Sequence, residues 1–281
     1  MHSACYINCI LHMIAPVRSH SGKRGHNPLP FIRADLICPY RTHDREFRTV
    51  LRSAHFRSGR KDARSSPNHQ QRTETDVLKP LALTGGIASG KSTAARFLLE
   101  AGFSHVYDTD AICHELYEEP TPELSGGLRR LWGDDVVSPG GAIDRAVLSG
   151  RLFGAADRAA AFAALNAIVH PAVEKRLREY LDRDAEDDGL ALVEVPLLFE
   201  IGWDRKFLRT IALWTPRELQ IARLMARGGM SREDAETRLS VQMSGDAKLA
   251  KADFGLINNG SPEHLRKQCF ALTALLKTLP L

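Results

Sequence analysis

With 281 residues, 43% of them hydrophobic and 26% charged, the chain is long enough for one large or two medium domains with a proper core. Its net charge of +4 averages two unlike parts: residues 1–79 hold 14 Lys+Arg against 6 Asp+Glu, which leaves 24 against 28 in residues 80–281. The basic character belongs to an N-terminal extension and does not argue for nucleic-acid binding by the body, and no apolar stretch reaches membrane-spanning length.

The extension also carries seven of the eleven His and three of the five Cys, at 5, 9 and 38. It has no C-x-x-C pair and no second pair at finger spacing, so solvated residues are favoured over a metal site. Residues 6–11 are apolar but lack a basic flank. The Arg enrichment resembles a mitochondrial presequence, against which stand Asp35, Asp44, Glu46 and Asp62. Residues 57–75 are almost wholly polar and without period, and residues 1–79 are expected to form a disordered leader.

The body opens on Leu81-Ala82-Leu83, a short apolar strand, and Gly85 to Ser92 then fit G-x-x-x-x-G-K-[ST] at every fixed position. Residues 94–100 read as the helix that such a loop opens. Gly-rich backbone can turn its N–H groups inward as an anion nest, and a helix N-terminus adds unpaired N–H groups and the positive end of a dipole. Lys91 offers a point charge to the β- and γ-phosphates and Ser92 a hydroxyl to Mg²⁺. A Gly-rich turn without a ligand is the plain alternative. The strand before it and the helix after it favour nucleotide phosphates.

Ala101-Gly102 ends that helix, and residues 103–107 form a second strand with Asp108 and Asp110 at its carboxyl end. Strand–helix–strand implies a parallel sheet with a right-handed crossover, whose ligands lie outside the carboxyl ends of the strands. Two readings stay open for the acid pair. One acid accepts a proton from an attacking hydroxyl or helps to hold Mg²⁺, or both merely cap the helix over 111–117. His105 and His114 read as surface or core residues. Residues 111–188 are mainly helical, with segments at 124–132, 144–148, 155–169 and 174–181, a turn at 138–141, and a break at His170-Pro171. Such a run between strands of a parallel sheet looks like a cap over the site.

Residues 190–195 form an almost uninterrupted apolar strand, as a buried central strand should, and run into Pro196-Leu197-Leu198-Phe199-Glu200. Residues 207–214 are the next strand. Thr215 is placed to N-cap a helix with Pro216 at N1 and Glu218 as capping-box acid. That helix carries Arg223 and Arg227 on one face, Gly228-Gly229 reads as a hinge, and Ser231 with Asp234 opens another helix running to Gln242. The stretch at about 216–245 reads as a lid over phosphates, or as a solvated basic face. A last short strand and turn at 256–260 precede a closing helix at 262–279. The isolated Cys113 and Cys269 read as reduced core thiols of a cytoplasmic protein.

No N-K-x-D or D-x-x-G motif marks a GTPase, and residues 190–195 run into Pro196 instead of a Walker-B acid, unlike a motor or transporter ATPase. A compact βαβ start, a helical insertion and an Arg-bearing lid describe a small-molecule kinase, which must exclude water.

More specifically, residues 84–93 resemble the opening of the dephospho-CoA kinases. So do Asp108-x-Asp110, residues 165–171, Val195-Pro196-Leu197-Leu198-Phe199-Glu200, Arg223-x-x-x-Arg227, Arg238-x-x-x-Gln242-Met243, Ala252-Asp253 and Asn258-Asn259-Gly260. The match spans residues 80 to about 276 in the family's order and spacing. The resemblance implies an α/β P-loop nucleoside-triphosphate-binding fold, with a parallel sheet flanked by helices and a helical substrate-binding insertion and lid. It implies transfer from ATP to the 3′-hydroxyl of the ribose in dephospho-CoA, giving CoA and ADP. Asp110 matches the acid that takes the hydroxyl proton, and Lys91, Thr84 and Arg227 match residues around the transferring phosphate. Gly86, Ile87, Ala88, Ser89, Gly90, Lys91, Ser92 and Thr93 match the ATP loop, with Ser92 toward Mg²⁺ and Asn258 near adenine. His170, Pro196, Leu197 and Leu198 match the acceptor region, with core packing still open for His170.

The resemblance has departures. Ala88 stands where the family commonly has Gly, which suits a position at φ < 0. Gly255 and Ile257 replace a β-branched residue and an Asp, and the basic extension has no family counterpart. Two rivals remain: a P-loop kinase acting on a nucleoside or nucleotide, and a non-catalytic nucleic-acid binder using the extension. The expected partner is dephospho-CoA alone, with no nucleic acid, no membrane, and a monomer or weak homo-oligomer.

Overall fold

The computed structural model describes residues 78–185 and 189–279, so the reading of the basic extension lies outside the described residues except for Leu78 and Lys79. The strands are β1 (Leu78–Gly85), β2 (Phe103–Asp108), β3 (Leu190–Glu194), β4 (Phe207–Trp214) and β5 (Phe254–Ile257). The helices are α1 (Lys91–Ala101), α2 (Thr109–Glu118), α3 (Pro122–Trp132), α4 (Arg145–Gly154), α5 (Arg158–Arg183), α6 (Arg217–Gly228), α7 (Arg232–Ser240), α8 (Gly245–Lys251) and α9 (Pro262–Leu276).

All five strands run parallel in the order β2-β3-β1-β4-β5. Alternation along the strands divides the core in two. Leu81, Leu83, Leu192, Ile211 and Leu213 pack with α1 and α9 on one face, whereas Ala82, Val193 and Tyr107 pack with α2 and α5 on the other. In register, Leu83 stands opposite both Glu194 and Ile211, and Asp108 stands opposite Glu194. The carboxyl ends of β2, β3 and β1 are therefore level, and the segments leaving these three strands meet at one edge. α6 and α7 hold a small core of their own, Ile221, Leu224, Ala235 and Leu239, against which Ile87 and Ala88 pack.

Four local expectations are corrected. The break at His170-Pro171 does not occur, because α5 is a single helix with Pro171 inside it. Phe162, Leu165, Val169, Val173 and Leu177 are all buried at spacings of three or four, so one apolar stripe crosses the proline. An interior proline costs about 3 kcal/mol, while each buried Val or Leu beyond it returns about 1.5–3 kcal/mol. Thr215 does not cap α6. Pro216 occupies the N-cap position, and the Thr215 hydroxyl donates to Ser89 O at 2.9 Å. Ala88 lies at φ +57°, not at negative φ, a left-handed conformation that costs an Ala about 1–2 kcal/mol and explains the commoner Gly. Finally, α7 ends at Ser240, short of Gln242, and the unexpected helix α8 follows, with Ser244 accepting from Ala247 N.

Candidate active site

The turn from β1 into α1 approaches its neighbours too closely for side chains. A Cβ on Gly85 would lie 2.8 Å from Leu213 O, and Gly90, at φ +95°, would place one 2.6 Å from Asn258 Nδ2. The outer side of the loop is held by hydrogen bonds from distant parts of the chain. Ser89 O accepts from Asn258 Nδ2 at 2.7 Å, Thr215 Oγ1 at 2.9 Å and Arg223 Nη1 at 3.2 Å. Arg223 also donates to Ala88 O at 3.1 Å, Gln220 Nε2 donates to Ile87 O at 2.7 Å, and Ile87 N donates to Gln242 Oε1 at 3.0 Å.

On the inner side, α1 begins with Gly90 as N-cap and no capping side chain, which leaves its first N–H groups and positive dipole end for an anion. Lys91 Nζ lies beside that opening, donating to Gly85 O at 3.0 Å and Gly86 O at 3.2 Å. A glycine cradle, an uncapped helix start and a cation fit a polyphosphate. Ser92 is exposed on the first turn of α1, as is Thr93 in part. Among the described residues no group of three or more His, Cys, Asp or Glu is arranged to hold a metal ion. A divalent cation here would take few ligands from the protein, which suits Mg²⁺ carried on phosphates and held by Ser92.

The two acids after β2 divide the readings that the sequence left open. Asp108 is the cap: its Oδ1 accepts from Asp110 N at 2.9 Å. Asp110 sits in the first turn of α2, 8% exposed, at the same edge as the phosphate loop. Thr109 Oγ1 donates to Glu194 O at 2.9 Å and fastens this turn to β3.

Glu194 is a site residue that the sequence reading passed over, because a nearly unbroken apolar strand disguised the acid at its end. It is 7% exposed. Burial pushes its carboxyl up to about 7, the negative charges of Asp108 and Asp110 add to the rise, and the Lys91 ammonium opposes it. The readable signal was an acid at the carboxyl end of a buried parallel strand next to a phosphate loop.

Beyond β3 the chain turns through Pro196, Leu197 and Leu198, all buried. Val195 N donates to Leu83 O at 2.9 Å. Thr84, fully buried, donates its hydroxyl to Pro196 O at 3.1 Å, so the side chain matched to the phosphate is engaged with the acceptor-side turn. His170 stands in the middle of α5. Its ring meets Trp203 edge-on at 5.5 Å between centroids, and Trp203 N donates to Leu198 O at 2.9 Å. Burial and the Lys206 charge lower its pKa, which favours the neutral ring where it packs on Trp203.

On α6, burial and the neighbouring Arg227 charge weaken the proton affinity of Arg223. Arg227 is exposed, with no hydrogen bond or ion pair to the described residues. Arg223 against the loop, with the neighbouring Arg227 charge, offers a place for an anion.

The chain has clear relatives among known proteins. A family model described as Dephospho-CoA kinase matches residues 80–264. The chain is 40% identical over 204 residues to a dephospho-CoA kinase of Anaeromyxobacter dehalogenans, covering 71% of this chain and 93% of that protein. It is 41% identical over 192 residues to one of Symbiobacterium thermophilum, covering 68% and 78% respectively. Among solved structures, TT1252 from Thermus thermophilus aligns with a TM-score of 0.58 at 35% identity, over 73% of this chain and all of that one. A dephospho-CoA kinase from Campylobacter jejuni aligns with a TM-score of 0.53 at 28% identity, over 70% and 96%.

Proposed function

We infer the chemistry of the site from one premise: the chain belongs to the dephospho-CoA kinase family, which carries out the last step of coenzyme A biosynthesis. The enzyme phosphorylates the 3′-hydroxyl of the ribose in dephospho-CoA with ATP, giving CoA and ADP. The observation that carries a catalytic reading of this edge is the level register of β2, β3 and β1, which brings Asp110 beside the phosphate loop.

Phosphoryl transfer through a loose transition state asks mainly for alignment and neutralised charge. Gly86 to Thr93 hold the triphosphate of ATP through backbone N–H groups, and Lys91, Arg223 and Arg227 balance its charge. Ser92 would hold Mg²⁺, which would supply charge neutralisation at the phosphates. Asp110 accepts the proton of the ribose hydroxyl and aims its oxygen in line. Asp108 holds the first turn of α2, so that Asp110 keeps its place. Pro196, Leu197 and Leu198, backed by His170 through Trp203, receive the acceptor. Thr84 serves by joining that turn to β1, and Asn258 by fixing the end of the loop where adenine lies.

Residues 80–281 act as the catalytic unit. The working state is a monomer or weak homo-oligomer, and no described helix is long and apolar enough to cross a membrane. Free, buried Cys113 and Cys269 support a reducing cytoplasm. The test is ADP release by the full chain with dephospho-CoA, adenosine and AMP as parallel acceptors. Dephospho-CoA is expected to be preferred, and preference for either of the others overturns the reading.

A further inference from the structure

Lys248, on the helix α8 that sequence reading missed, has a side chain with 0% exposure. Its Nζ donates to Pro196 O at 2.6 Å and pairs with Glu200, 2.9 Å from Oε1 and 3.1 Å from Oε2. Both partners are shared. Pro196 O also accepts the Thr84 hydroxyl at 3.1 Å, and Glu200 Oε1 also accepts Met243 N at 3.0 Å. One ammonium group thus ties together the end of β1, the turn after β3 and the connection from α7 to α8. The helix is anchored in turn, with Trp214 Nε1 donating to Asp246 Oδ1 at 2.7 Å.

Burying a cation costs several kcal/mol even when it is paired, and well-packed apolar groups often stabilise a core as well or better. Burial indeed lowers the proton affinity of Lys248, while Glu200 opposes the loss. What an apolar side chain does not supply is direction: a donor aimed at one carbonyl and a charge aimed at one carboxylate. A misplacement of about 1 Å at an aligned centre costs roughly a hundredfold in rate.

We propose that Lys248 is a positioning residue for the acceptor, holding the turn at 196–198 against the end of β1 so that the ribose hydroxyl and the phosphate loop keep one spacing. The assignment rests on the reading that this turn receives dephospho-CoA. Lys248 touches neither substrate and acts through Pro196 and Glu200.

The test compares wild type, Lys248→Met, Lys248→Arg, Glu200→Gln and Leu197→Ala in the full chain, with kcat, separate KM values for each substrate and an unfolding temperature. Lys248→Met is expected to lower kcat by up to about a hundredfold, raise the KM for dephospho-CoA about tenfold, leave that for ATP within about twofold, and be restored to within about threefold by Lys248→Arg. Should Lys248→Met fail to fold, Glu200→Gln is expected to show the same selectivity at smaller size. Equal rises in both KM values, or a lowered unfolding temperature with both unchanged, overturn the proposal. If Leu197→Ala raises the acceptor KM and neither Lys248→Met nor Glu200→Gln does, the positioning role alone falls. If no variant raises it while wild type converts dephospho-CoA, the placement of the acceptor falls too. Failure of wild type to convert dephospho-CoA overturns the functional reading itself.

Discussion

Asp108 and Asp110 are two residues apart, yet the backbone gives them unlike tasks. The first spends its carboxylate on Asp110 N, and the second is carried into the site by the helix that the first has capped. Asp110→Asn keeps the shape and removes the proposed base. It is expected to lower kcat by about 10²–10⁴ with ATP affinity nearly unchanged, as comparison of turnover with nucleotide binding will show. Glu194 makes a second prediction at this scale. A glutamate with a folded value of about 7, against about 4.3 in water, binds its proton more tightly in the fold. The stability it contributes is complete below the unfolded value and is lost as pH rises through the folded one. Without nucleotide, Glu194→Gln is therefore expected to be more stable than wild type by about 3 kcal/mol near pH 8, relative to the difference near pH 4. Denaturant titrations at the two pH values measure this, and a difference independent of pH contradicts it.

At the scale of elements, α6 carries two arginines that the sequence could not tell apart. Spacing put Arg223 and Arg227 on one face, but only the fold shows Arg223 bonded to Ala88 O and Ser89 O. Arg223→Ala is expected to raise the KM for ATP about tenfold by loosening the loop, whereas Arg227→Ala lowers kcat and leaves ADP binding intact. Titration with ADP beside steady-state kinetics separates the two. The phosphate loop, its flanking strand and helix, and the acid pair were legible because each is local chemistry with fixed spacing. Less legible was whatever tertiary packing decides. Pro171 marks a break in local terms, and the apolar stripe from Phe162 to Leu177 overrides it. Thr215 looks like a cap, and its hydroxyl is taken by a loop 126 residues away. Glu194 and Lys248 read as ordinary charges until the sheet register and the packing of α8 bury them.

Over the whole molecule, the strand order and the level carboxyl edge bring together, among the described residues, candidate site groups from Thr84 onward. Removing residues 1–77 is accordingly expected to leave kcat/KM for both substrates within about twofold, with a larger loss assigning the extension a part in catalysis. One further consequence comes from the Ser89 carbonyl, which draws donors from Thr215, Arg223 and Asn258. In a trans peptide the carbonyl and the next amide point in opposite directions. Anchoring that oxygen outward therefore turns the Gly90 amide inward before any nucleotide arrives. Little conformational freedom is left to lose on docking, so affinity comes from a socket already cast, not from one moulded around its guest.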